Sequence, residues 1–151
     1  MKILLAVDES PYSEAATQAV SDGPWAQGST VRVLTVMRPV APMATELWYA
    51  PTVDVNEWEA DLEKHSRELV SRVAARLQSA GIEAEPVIRK GDPRTGIVDE
   101  AEEWNADLIV LGSHGYTGLR RALLGSVSQF VVSHAQCSVQ VVRARGSSDA
   151  G

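Results

Sequence analysis

The sequence predicts an open α/β fold: a parallel sheet of five strands with helices on both faces. Three observations predict it. Short apolar runs alternate with segments of helical period along almost the whole chain. The clearest runs, such as Ile3-Leu4-Leu5-Ala6-Val7, have no polar alternate, as in strands buried on both faces. Twice, at Ser10-Pro11 and Asp92-Pro93, such a segment is followed by a capping residue and a proline, the pair that opens a helix. A chain of 151 residues, 44% hydrophobic and 23% charged, is sized for one such domain.

Taken in order, Lys2–Val7 is the first strand, stopped by Asp8-Glu9. A helix from about Pro11 to Trp25 carries Ala15, Ala16, Ala19 and Val20 at helical spacing, with Gly28 in the turn beyond it. Thr30–Met37 is β-branched and forms the second strand. Arg38 to Val55 fits no period: Pro39, Pro42 and Pro51 punctuate Met43, Leu47, Trp48 and Tyr49. A connection this long is either a functional flap or a mobile surface loop, and its residues leave both open.

Glu57–Ala80 is the longest helix. Trp58, Leu62, Leu69, Val73 and Leu77 mark its apolar face, Glu63/Arg67 and Glu68/Arg72 are favourable i,i+4 pairs, and Gly81 stands where a helix ends. His65 has no second ligand-type residue at i+4, so a solvated helix face is expected there rather than a metal site. Ile82–Arg89 is a strand, placed at a sheet edge by Pro86. Lys90-Gly91 turns the chain into a helix with Ile97, Val98, Ala101 and Trp104 as its stripe. Ala106–Leu111 is again a buried strand. After Gly125-Ser126 a last helix runs to about Ala135, and Ser138–Val142 is the last strand. The domain is thus 1–143, and 144–151 is a frayed tail.

Composition excludes several functions. The net charge is −6, which argues against counterion-driven nucleic-acid binding, and 5% aromatic residues give little to stack bases on. The single cysteine, Cys137, cannot close an internal disulfide or build a cysteine-rich zinc site; it reads as a small apolar group at a strand start. The first apolar run is too short for a signal peptide or a membrane span, so a soluble, cytoplasmic protein is expected.

In open α/β sheets ligands bind beyond the carboxyl ends of the strands. Among the segments leaving those ends, Gly112-Ser113-His114-Gly115-Tyr116-Thr117-Gly118-Leu119-Arg120-Arg121-Ala122-Leu123-Leu124-Gly125-Ser126 is the most informative. Three glycines recur every third residue and a fourth meets the start of a helix. Glycines permit positive φ and close backbone approach, so that N–H groups converge on an anion. The helix start near Ser126 adds its own free N–H groups, and Ser126 and Ser128 add hydroxyls. From 112 to 128 there are two arginines and no acid, so the rest of the chain carries −8. A locally positive glycine-rich turn suits a polyphosphate; the plain alternative is a surface loop with tight turns. There is no G-x-x-x-x-G-K-[ST], and no G-x-G-x-x-G after the first strand. Without the P-loop lysine, phosphoryl transfer has no evident machinery.

Gly112-x2-Gly115-x9-Gly125-Ser126 resembles the ATP-binding motif of the universal stress proteins. The resemblance covers nearly the whole chain: the Ala-Val-Asp-Glu-Ser opening, the proline-containing excursion, the Gly-Asp-Pro turn and Asp-Leu-Ile-Val-Leu-Gly-Ser-His-Gly. It implies a Rossmann-like sheet of order 3-2-1-4-5, similar to the adenine nucleotide alpha hydrolases. It also implies a homodimer and ATP bound with Mg²⁺ or Mn²⁺. Carried over, Ala6, Val7 and Asp8 line the ribose and adenine side and Val36 meets adenine through its backbone. Leu111, Gly112 and Gly115 flank the ribose and phosphates, and Gly125, Ser126, Val127 and Ser128 hold the phosphates. Gly118, Arg120 and Arg121 fall in the variable spacer. Asp8 reads as a carboxylate for ribose hydroxyls or a metal, or as a simple turn residue. His114 shows no orienting partner in the sequence and reads as a loop or phosphate-side residue.

The function so implied is a nucleotide-dependent stress-response module without catalytic residues. The alternatives are a slow ATPase or adenylyl-transfer enzyme, and an interaction module without nucleotide. The last strand, Ser138, Val139, Gln140, Val141 and Val142, lacks lysine, proline or charge to blunt an edge, and is the expected dimer seam.

Overall fold

The computed structural model describes residues 1–39, 55–114 and 124–144. The strands are β1 (Lys2–Ala6), β2 (Thr30–Met37), β3 (Glu83–Lys90), β4 (Leu108–Gly112) and β5 (Ser138–Val142). The helices are α1 (Pro11–Asp22), α2 (Val55–Ser79), α3 (Pro93–Trp104) and α4 (Ser126–His134). The strands form one parallel sheet of order β3-β2-β1-β4-β5. Alternate residues of the central strands point to opposite faces, which makes two cores. Ile3, Leu5, Val31, Val33 and Val110 face α1 and α2, meeting Ala16 and Val20 of the one and Leu69–Leu77 of the other. Leu4, Ala6, Leu34, Ile109 and Leu111 face α3 and α4, meeting Ile97, Val98, Ala101 and Val131. Because β1 and β4 are packed on both faces, their sequences read as unbroken apolar runs.

Helix starts and stops follow local chemistry. Ser10 caps α1, its hydroxyl accepting the Ser13 N–H, and Asp92 caps α3, accepting the Arg94 N–H; a proline follows each cap. Gly81, at φ +84°, ends the turn after α2. Asn105 closes α3 in the left-handed region at φ 58°, its N–H bonded to carbonyls of the last turn.

Two sequence expectations need correction. The first helix stops at Asp22, not Trp25, because Gly23 precedes Pro24 and is held extended (ψ 144°), as a residue before proline must be. Trp58, expected on the apolar face of α2, is 56% exposed, and the buried stripe begins at Leu69. A helix of 25 residues is about 37 Å long, whereas the eight-residue strands beneath it span about 26 Å, so its first turns overhang the sheet. Among the described residues that overhang is held by polar pairs: His65 with Glu9, and Lys90 with Glu59 at 3.6 Å and Glu63 at 3.8 Å. Pro86 lies in the edge strand β3, and β5 is the opposite edge. The excursion at 40–54 and the tail beyond 144 lie outside the described residues.

Candidate functional site

The strands part at the centre of the sheet. β1 pairs with β4 only as far as Leu5↔Val110, whereas β4 stays with β5 to Gly112↔Val142. On its other side β1 pairs with β2 to Ala6↔Leu34, and the Val7 N–H adds a bond to the Leu34 carbonyl at 2.8 Å. Asp8 then leaves the sheet: its N–H donates to Ser13 Oγ at 2.9 Å and its Oδ1 accepts the Ser10 N–H at 2.8 Å. This is a topological switch point, with Ala6, Val7 and Asp8 on one lip and Leu111 and Gly112 on the other. One consequence concerns Val36. Strand alternation turns its N–H and C=O to the same side as those of Leu34, but β1 has already gone. No backbone bond closes on them among the described residues, while Met37, pointing the other way, accepts the Gly91 N–H at 2.8 Å.

Helix α4 begins across this crevice. Its N-cap is Gly125, with no side-chain cap bond, and Ser126 is its first helical residue. The first intrahelical bond is Gln129 N–H to the Gly125 carbonyl, 3.0 Å. Among the described residues the N–H groups of Ser126, Val127 and Ser128 therefore have no acceptor, and they present the positive end of the helix. The hydroxyl of Ser128 is a different matter. Ser128 is buried, and its Oγ lies 2.7 Å from the Ser113 carbonyl and 3.1 Å from that of Gly125. It braces the turn, so the hydroxyl is engaged and only the main-chain N–H of Ser128 is without an acceptor among the described residues. Ser113 is the hub of that brace: its N–H donates to Val142 at 2.9 Å and its carbonyl also accepts the Gly125 N–H at 2.7 Å.

The glycines earn their places through the protein's own packing. Neither Gly112 nor Gly125 has positive φ. A Cβ on Gly112 would fall 2.7 Å from the Tyr12 backbone, so α1 needs that position bare. A Cβ on Gly125 would lie 3.1 Å from His114 Cα and 3.3 Å from the Ser113 oxygen. The positive-φ rationale for these two is therefore replaced by close approach of chain to chain. Gly115, Gly118, Arg120 and Arg121 lie outside the described residues.

His114, without a visible partner in the sequence, meets Ser113 and Tyr12 in the structure. Its Nδ1 lies 3.1 Å from Ser113 Oγ, and its ring sits 5.0 Å from that of Tyr12. The adjacency Ser113-His114 was the only sequence signal for the first contact, and nothing in the sequence points to Tyr12. On the β3–α3 side, the Arg94 guanidinium, and then its N–H, hold the Asp92 carboxyl down at about 2. Among the described residues no three His, Cys, Asp or Glu side chains group as a metal site, and no helix is long and apolar enough to cross a membrane. Cys137 is partly buried, and burial pushes its thiol up. It lines a cleft of about 230 Å³ between the C-terminal ends of α3 and α4, at the other end of the sheet.

Comparison with known proteins agrees with this geometry. The family model described as the universal stress protein family matches residues 1–143. Universal stress protein YxiE of Bacillus subtilis is 30% identical over 145 residues, 94% of this chain and 98% of that protein. Seven other curated relatives match over only 38–63% of their own length. The solved structure of MJ0577 of Methanocaldococcus jannaschii superposes with a TM-score of 0.80 at 29% identity, covering 94% of both chains. A family protein from Arabidopsis thaliana, solved with AMP bound, shares the fold at a TM-score of 0.69 and 19% identity, over 97% of this chain and 93% of that one. The chain belongs to the universal stress protein family.

Proposed function

We propose that this protein binds ATP at the carboxyl ends of its strands and acts as a nucleotide-dependent stress-response module in the cytoplasm. The observation that carries the reading is the uncapped start of α4, whose three first-turn N–H groups have no acceptor among the described residues and whose Gly125 N–H is bonded to Ser113, just past the end of β4. Phosphates sit on Ser126, Val127 and Ser128 N–H groups with Gly125, Gly112 and Gly115 leaving room. Adenine sits against Val36 and the ribose against Ala6, Val7, Asp8 and Leu111. The main-chain N–H and C=O of Val36 offer one donor and one acceptor side by side, which complements N1 and the N6 amino group of adenine. The AMP-bound relative supports an adenine nucleotide in this fold. Mg²⁺ or Mn²⁺ accompanies the triphosphate, drawing its ligands mainly from phosphate oxygens and water.

The module is a homodimer through β5, whose outer edge has no strand partner within the chain. Val141→Lys, placed on that edge, lowers the sedimentation coefficient at micromolar concentration if this is the seam. Regulation rather than turnover is the role. A second reading, a slow ATPase, draws on the orientation of His114 by Ser113; a His114→Gln variant with an unchanged hydrolysis rate removes it. Calorimetry with ATP and with NAD, both with Mg²⁺, tests the main reading. ATP binding without comparable NAD binding is expected; equal affinities, or no ATP binding, contradict it.

A further inference from the structure

Gly96 stands in the first turns of α3, where a glycine is a poor helix former and no positive φ requires it. Its neighbour explains it. A Cβ at Gly96 would fall 3.0 Å from Cγ1 and 3.1 Å from Cγ2 of Val36, closer than side chains normally pack. The same stretch of β2 is fixed again one residue later by the Gly91 N–H on the Met37 carbonyl, 2.8 Å. The helix start and the strand end are thus held together, and the residue between them is the one whose N–H and C=O have lost β1 as a partner.

We propose that Gly96 is a positioning residue for base selectivity: lacking a Cβ, it lets α3 seat on the Val36 side chain and fixes the direction of the Val36 N–H and C=O. This rests on the nucleotide reading above. The chemistry makes the consequence specific. Adenine offers an acceptor at N1 and a donor at N6, matching a main-chain N–H and C=O. Guanine offers a donor at N1 and an acceptor at O6, which meets the same pair with both polarities reversed. Selectivity for adenine over guanine then depends on how firmly Val36 is aimed, whereas triphosphate binding at α4 does not.

Gly96→Ala tests it. The added methyl must displace Val36 by a few tenths of an ångström. The affinity ratio of ATP to GTP, measured by calorimetry with Mg²⁺, is expected to fall by about three- to tenfold, since catalytic and binding groups lose much of their effect on small misplacement. The double variant Gly96→Ala/Val36→Ala removes the crowding and is expected to recover the ratio, which a merely structural loss would not do. Should Gly96→Ala fold poorly by circular dichroism, Val36→Ile crowds the same contact from the strand and is expected to give the same loss. An unchanged ratio in the folded variant overturns the proposal. Equal binding of ATP and GTP by the parent protein overturns it while leaving a phosphate site intact. No binding of either overturns the nucleotide reading itself.

Discussion

Three helices start beside the carboxyl end of a strand, α4 by the bond of the Gly125 N–H to the Ser113 carbonyl just past β4, and they start in two ways. α1 and α3 are closed by their own side chains. Ser10 Oγ takes the Ser13 N–H, Pro11 fills the first helical position, and the Asp8 carboxylate lies on the Ser10 N–H. Asp92 takes the Arg94 N–H, and Pro93 follows it. α4 starts at Gly125 with nothing on its first-turn donors among the described residues. Leaving out such a cap costs about 0.5–2 kcal/mol when the alternative is alanine and a few tenths when it is glycine. All three termini carry the same positive dipole end, but among the described residues α1 and α3 each leave a single first-turn N–H without an acceptor, that of Tyr12 and that of Thr95, whereas α4 leaves three. The start of α1, which takes pyrophosphate in dinucleotide folds, is occupied here by Asp8, in keeping with the missing G-x-G-x-x-G.

The sharpest way to break this contrast is to close the open helix. Ser126→Asp places a carboxylate on the exposed first turn of α4. Stability is expected to rise by about 0.3–1 kcal/mol in urea unfolding, because the charge complements the dipole. ATP affinity is expected to fall at least about tenfold, because like charges now meet. Affinity and stability moving in opposite directions is the signature; an unchanged affinity breaks the contrast. A valine at Gly125 is a blunter tool, since its Cβ would press on His114 Cα as well as on any phosphate.

Opening a closed helix is the converse and has a smaller reach. Ser10→Ala removes a buried cap and is expected to cost about 1 kcal/mol of stability with ATP affinity nearly unchanged. A large drop in affinity would mean that α1 also serves the ligand.

The smallest effect is a titration. The Asp92 carboxyl is held at about 2, first by the Arg94 side chain, against its ordinary 3.8. A depressed carboxyl contributes stability that is fully present above its ordinary value and is lost as the pH falls through about 2. NMR of the Asp92 carboxyl should show that low midpoint, and Arg94→Ala should raise it. An ordinary midpoint in the parent would show that the α3 cap is not formed in solution.

The fold was legible because its signals are local. β-branched runs bounded by turns placed β2 at Thr30–Met37 and β5 at Ser138–Val142, and the structure keeps both limits. Cap-plus-proline pairs placed the starts of α1 and α3. The misreading of the end of α1 was local too: Pro24 was in the sequence and outweighs the helical spacing before it. What was not legible depends on contacts far apart in the chain. The bareness of Gly112 answers to Tyr12, a hundred residues earlier, and that of Gly96 answers to Val36. Ser128 looked like a free hydroxyl, and only the folded chain brings the Ser113 carbonyl onto it. Trp58 matched a helical period, but a period does not say where the sheet beneath the helix ends.

We propose that the start of α4, rather than that of α1 or α3, takes the phosphates, while Val36 takes the base. The most direct measurement is the change in backbone amide NMR shifts as ATP with Mg²⁺ is added to the parent protein. The largest shifts are expected at Ser126, Val127, Ser128 and Val36, with Ser13 and Arg94, whose N–H groups already sit on caps, close to still. Shifts centred on Ser13 and Arg94, or none at α4 on saturation, would contradict it.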